Sequence, residues 1–187
     1  MPQTSNLLRR TDAMLLVIDV QERINAVMVD QGHLPRLEVL VEACRALSIP
    51  VIASEQYPKG LGPTVEDLAA TLAETPEVKM TFSCERDTGL REMVAAASSS
   101  QIVVTGIETH VCVLQTVLDL LAAGYEVHVP HDAVSSRRLA DKEWALRRME
   151  ASGAIITSTE SALFELLERC DTDEFKIVAK LIKRIPV

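Results

Sequence analysis

The chain has 187 residues, 48% of them apolar and 25% charged, with a formal net charge of −8. That length and apolar share suit one compact domain with a substantial core and exclude global disorder. The acidic balance disfavours nucleic acid or an anionic membrane as the main partner, because phosphate binding needs a basic stripe. The basic runs, at Arg137-Arg138 and from Lys180 to Arg184, are short and read as solvated faces.

No apolar run approaches the roughly 20 residues of a membrane span. The stretch before the first apolar run lacks a secretory h-region, and Leu7 to Arg10 is too short and too close to Asp12 for a transit peptide. The four cysteines, Cys44, Cys84, Cys112 and Cys170, show neither a disulfide framework nor a Cys-x-x-Cys pair. A reducing, cytoplasmic compartment is the expectation.

Met14 to Val20 opens the regular structure as a buried strand. Leu34 to Leu47 follows at helical spacing, and Val51 to Ser54 is a second strand. Thr64 to Asp67 resembles a capping box opening a helix to Leu72. Glu77 to Met80 is a weaker strand, Gly89 to Ala97 a helix, and Gln101 to Ile107 a strong strand. Thr109 to Ala123 is periodic and stops at Gly124, as Leu139 to Ser152 stops at Gly153. Tyr125 to Pro130 and Ala154 to Ser158 complete the strands, and Ser158 or Thr159 caps a helix to Arg169. Strands alternating with helices predict a parallel α/β sheet with helices on both faces. One domain spanning 1–187 is expected, with 171–187 as a last helix or arm.

In such sheets ligands bind beyond the C-terminal strand ends. There the chain presents Asp19, then Glu55, Gln56 and Tyr57, then Lys79, then Glu108 and Cys112. A helix N-terminus and a neighbouring ammonium both favour a thiolate, so Cys112 near the start of a helix with Lys79 beside it suits a nucleophile. Asp19 is placed to take and return its proton. Taken singly, a cysteine is more often a small core residue and a lysine a solvated one. Cys44 and Cys84 read as packing residues and Cys170 as a surface thiol. The four histidines, His33, His110, His128 and His131, show no zinc spacing.

The stretches "VIDVQ", "EVKMTFSC" and "TGIETHVCV", with Asp19, Lys79 and Cys112 spaced 60 and 33 residues apart, resemble the isochorismatase-like cysteine hydrolases. "EQYPKGLG" is closest to the isochorismatase-domain-containing proteins. The resemblance implies a three-layer α/β/α, Rossmann-like fold with a six-stranded sheet in the order 3-2-1-4-5-6. It implies catalysis by Asp19, Lys79 and Cys112, a cis peptide between Ile107 and Glu108, and an oxyanion hole from the Glu108 and Cys112 amides. It also implies a homo-oligomer.

The metal motif of nicotinamidases is replaced by "SEQYPKG", which has no histidine, so neither metal nor other cofactor is expected. Gln21, Glu55, Tyr57, Phe82 and His110 are candidate pocket residues. The expected activity is hydrolysis of a small amide or related C–N acyl compound through a thioester. A non-catalytic small-molecule-binding or thiol redox-sensing protein on the same fold is the alternative. A dinucleotide-binding domain would need G-x-G-x-x-G after the first strand, where "VIDVQERI" has no glycine. A nuclease is disfavoured by the acidic balance.

Overall fold

The computed structural model describes residues 6–185; residues 1–5 and 186–187, the ends of the expected domain and of its C-terminal arm, lie outside the described residues. The chain runs through β1 (Ala13–Ile18), α1 (Glu22–Asn25), α2 (His33–Ala46) and β2 (Val51–Gln56). Short helices α3 (Pro58–Leu61) and α4 (Glu66–Ala69) lead to β3 (Glu77–Lys79), α5 (Thr88–Ala96) and β4 (Gln101–Ile107). Then come α6 (Leu114–Ala122), β5 (Glu126–Pro130), β6 (Val134–Ser135) and α7 (Leu139–Ala151). β7 (Ile155–Thr157), α8 (Thr159–Leu167) and α9 (Asp173–Ile182) close it.

The strands pair in parallel in the order β3-β2-β1-β4-β5-β7, with β6 beside the end of β4. The expected six-strand path is present, its sixth member being β7. The addition is β6, whose two residues are too short to carry a periodic signal. The expected capping box is also absent: Val65, not Thr64, precedes α4, and no side chain caps it. Thr64 instead donates its backbone N–H and its hydroxyl to Glu55 Oε1, at 2.6 and 2.8 Å.

Two cores sandwich the sheet. Along β1, Ala13, Leu15 and Val17 point into one core with Leu37, Leu40 and Cys44 of α2 and Leu163 of α8. Met14, Leu16 and Ile18 point into the other with Val94 of α5, Val117 of α6 and Met149 of α7. This is the period-two alternation of a strand covered on both faces, which is why β1 reads as an unbroken apolar run. The amphipathic α9 adds Val178 to the first core, with Phe175 and Leu181 packed against it.

One contact fixes how closely β1 and β4 approach. Gly106 pairs with Ile18 and has φ +108; a Cβ there would collide with the Ile18 backbone oxygen and nitrogen. Only glycine permits this approach without strain. β1 and β4 meet where the sheet's winding reverses direction, so their C-terminal ends flank the crevice that open α/β sheets use for ligands.

Candidate active site

β1 hands over to Asp19, which has φ 53, a left-handed conformation that aspartate tolerates better than most residues. Its backbone is tied on both sides: Asp19 N–H donates to Ser54 O at 3.1 Å and Gln21 N–H to Asp19 O at 2.8 Å. The registers Ile18↔Ser54 and Gln56↔Lys79 then bring three strand ends together. Ser54 Oγ donates to Asp19 Oδ1 at 2.8 Å, and Lys79 Nζ donates to Asp19 Oδ2 at 2.6 Å.

Lys79 sits on the edge strand, yet it is fully buried while Glu77 and Val78 beside it are exposed. Its ammonium is surrounded by acceptors. Besides Asp19 it faces Gln56 Oε1 at 2.8 Å and the carbonyls of Thr81 and Phe82 at 3.2 Å each. Burial works against the charge, but Asp19, helped by the Cys112 and Cys84 sulfurs, outweighs it and raises the group above the ordinary lysine value.

β4 delivers the thiol. The Ile107–Glu108 peptide is cis, and the chain then winds through a π-helical turn, Thr109–Val113, before α6. Val111 and Val113 N–H both donate to Glu108 O, and Thr109 Oγ1 donates to Ser135 O at 2.9 Å, pinning the turn to β6. Thr109 lies inside the turn, and Glu108 occupies the capping position expected of Thr109.

Cys112 is 6% exposed and lines a cleft with Asp19. Burial, then the Asp19 charge and its hydrogen bond, push the thiol well above the ordinary value, and Lys79 only partly offsets them. Lys79, which pulls the other way, is itself paired with Asp19. Cys84 is a second buried thiol nearby, 3.7 Å from Ser54 Oγ, pushed up to about 11 chiefly by burial. Cys44 is buried in the other core and Cys170 is exposed.

The cleft has a volume of about 110 Å³. Its polar lining is Asp19, Gln56, Glu108 and Cys112; Ile24, Leu61, Phe82, Ile107 and Val111 supply the apolar walls. Glu108 is held by Arg137, whose backbone N–H and Nε donate to Glu108 Oε2 at 3.1 and 3.0 Å. A larger hollow of about 620 Å³ between the N-terminal segment and α8 contains none of Asp19, Lys79 or Cys112. Among the described residues, no group of three or more His, Cys, Asp or Glu side chains is placed to hold a metal ion.

Of the pocket residues expected from sequence, Phe82 lines the cleft and the other four are placed elsewhere. Gln21 is fully buried and braces the wall, donating to Gly62 O at 2.6 Å and accepting from Gln56 N–H at 2.8 Å. Glu55 holds Thr64. Tyr57, half exposed at φ 39, packs its ring beside Gly60. The His110 ring lies 3.1 Å from Ser136 Oγ and lines a separate surface hollow with Asp141 and Trp144. Sequence reasoning missed Ser54 as a partner of Asp19, and Ile24, Leu61 and Val111 as walls. Ser54 was legible only as the last residue of an apolar run, two positions before the polar Gln56.

The family profile for the isochorismatase domain matches residues 13–161. Isochorismatase domain-containing protein 1 of Salmo salar is 41% identical over 88% of this chain, and the chain spans 59% of that relative's length. Secreted isochorismatase effector Isc1 of Phytophthora sojae is 41% identical over 91% of this chain and 84% of its own. Among solved structures, the MAR1 ribonuclease from Caenorhabditis elegans is 39% identical, with a TM-score of 0.89 over 97% of this chain and 95% of its own. A profile spanning β1 to the start of α8 and relatives at this level of identity place the chain in the isochorismatase family.

Proposed function

We propose that this chain is a cysteine-dependent hydrolase of small amides or related C–N acyl compounds, working through a thioester on one domain without a cofactor. The observation that carries this reading is the meeting of a buried Lys79–Asp19 ion pair and Cys112 at one small cleft. Attack and proton transfer belong to one step in this reading. Cys112 Sγ bonds to the carbonyl carbon as its proton passes to Asp19. The backbone N–H groups of Glu108 and Cys112 stabilise the oxyanion. The C–N bond then breaks, and the amine leaves with the proton from Asp19. Asp19 next takes a proton from water as its oxygen attacks the thioester, and the acid departs while the sulfur regains the proton. Lys79 stays charged throughout and keeps Asp19 anionic and oriented between turnovers.

We place the protein in the cytoplasm, and no helix among the described residues is long and apolar enough to cross a membrane. Homo-oligomerisation belongs to the same proposal. Val27, Val29, Leu139 and Trp144 are each more than half exposed, and Val29 N–H bonds to Ser136 O, joining the loop after α1 to the segment before α7. Exposed apolar side chains of this kind suit an interface between copies. The ribonuclease relative raises RNA cleavage as a second activity, but the net charge of −8 opposes a polyanion.

The deciding experiment is a panel of small amides assayed with wild type and Cys112→Ala, with mass spectrometry for an acyl adduct on Cys112. Turnover lost in the variant together with a trapped adduct is expected. Undiminished turnover in Cys112→Ala overturns the mechanism, and absence of turnover in wild type, with ligand binding intact, favours the binding or thiol-sensing alternative.

A further inference from the structure

The cleft that holds Cys112 offers no unpaired cation among its described lining residues. Apart from the sulfur, its ionisable lining is two acids, Asp19 and Glu108, and no lysine, arginine or histidine is among the described lining residues. Two cations stand close and both are engaged. Lys79 Nζ is fully buried behind Asp19, facing Gln56 Oε1 and two carbonyls. Arg137 turns its backbone N–H and Nε to Glu108, and its side chain is 57% exposed on the solvent side.

An incoming carboxylate would therefore give up water and meet no unpaired cation to replace it, which low-dielectric surroundings make costly. An uncharged group loses far less. The remaining walls are hydrocarbon from Ile24, Phe82 and Val111. At about 110 Å³ the cleft is small, which suits a short acyl chain.

The geometry points to a defined substrate class: uncharged, short-chain aliphatic carboxamides, with compounds carrying a carboxylate near the scissile carbonyl refused. This rests on Cys112 being the nucleophile, and it adds a selection rule that the nucleophile alone does not impose. The apolar walls receive the acyl chain, and the Glu108–Arg137 pair leaves no free cation at the cleft.

Two reagents of nearly equal size and the same leaving group test the rule independently of turnover. Iodoacetamide is neutral and iodoacetate is anionic. In each, sulfur bonds to the methylene carbon as the C–I bond breaks, iodide leaves with the electron pair, and the thiol proton is released. The exposed Cys170 serves as an internal reference in the same chain. Peptide mass spectrometry should give a Cys112-to-Cys170 labelling ratio about tenfold or more higher with iodoacetamide than with iodoacetate. Ile24→Lys, which adds a cation to the lining, should raise iodoacetate labelling of Cys112. Hydrolysis should follow the same order, butanamide being accepted and succinamate refused. Equal labelling ratios for the two reagents overturn the charge rule while leaving Cys112 a reachable nucleophile. Labelling of Cys112 by neither reagent, with Cys170 labelled by both, removes the nucleophile and the rule together.

Discussion

Lys79 Nζ and Asp19 Oδ2 lie 2.6 Å apart, with side-chain exposures of 0% and 3%. Such a pair is costly to break from one side, because the remaining charge is left buried and uncompensated. Lys79→Met should lower unfolding free energy by about 3–5 kcal/mol and abolish turnover. Asp19→Asn suits the backbone, since asparagine also tolerates positive φ. Combined with Lys79→Met, it should cost less than the sum of the single changes. Urea denaturation of the four proteins measures the coupling; additive costs would show that the two groups do not act as a pair.

Ser54 Oγ holds the other Asp19 oxygen. Ser54→Ala should lower kcat about tenfold, equivalent to about 1.4 kcal/mol, with KM little changed, because the residue orients the carboxylate and does not line the cleft. Ser54→Thr, which retains the hydroxyl, should recover much of the loss. A change in KM alone would place Ser54 in substrate binding instead.

The raised Cys112 thiol has a direct reporter. Its alkylation by iodoacetamide should keep rising with pH past the ordinary thiol range near about 8.5. Asp19→Asn removes the repelling charge and should move the rise to lower pH. A rate already level near neutrality would show a resting thiolate and would require a different account of proton transfer.

Gly106 and Gly124 separate strain from collision. Both have positive φ, but a Cβ at Gly106 meets the Ile18 backbone while one at Gly124 meets nothing within 4 Å. Gly106→Ala should cost about 3 kcal/mol or more and reduce activity by separating the ends of β1 and β4. Gly124→Ala should cost about 1 kcal/mol with activity retained. Equal losses in denaturation would remove the special role of the Gly106 approach.

His33 is fully buried, with its ring nitrogens 2.8 Å from Asp30 O and 2.9 Å from Asn25 Oδ1. Burial holds it below the ordinary histidine value; Asp30 works against that shift and Lys142 with it. The unfolded chain therefore binds this proton more readily than the fold does. The stability linked to His33 is complete above about pH 6.5 and falls as pH drops below it, towards the lower folded value. His33→Gln should flatten that part of the stability–pH curve, measured by thermal unfolding between about pH 5 and 7. An unchanged slope would assign it to other groups.

Much of this architecture could be read from the residues in order. Met14 to Ile18 and Ile102 to Ile107 announced two-face burial by lacking polar alternation. Gly124 and Gly153 marked the ends of α6 and α7, where each has positive φ. β6 escaped because Val134 and Ser135 are strand only through their pairing with Gly106 and Ile107. The pocket was less legible still. Gln21 and Glu55 follow strand ends, as functional residues do in this architecture, yet their side chains turn to Gly62 and Thr64.

The sequence by itself determined the succession of apolar strands along the chain, the breaks between them, and the presence of an acid, an amine and a thiol near the ends of β1, β3 and β4. Only the tertiary structure decided what those groups are to one another. Periodicity specifies which face a side chain occupies; charge state depends on every group within a few ångströms, whatever its distance along the chain. Hence the pairing of Lys79 with Asp19, the raising of the Cys112 thiol by burial and a carboxylate, and the Glu108–Arg137 contact emerge only when the strands are set side by side.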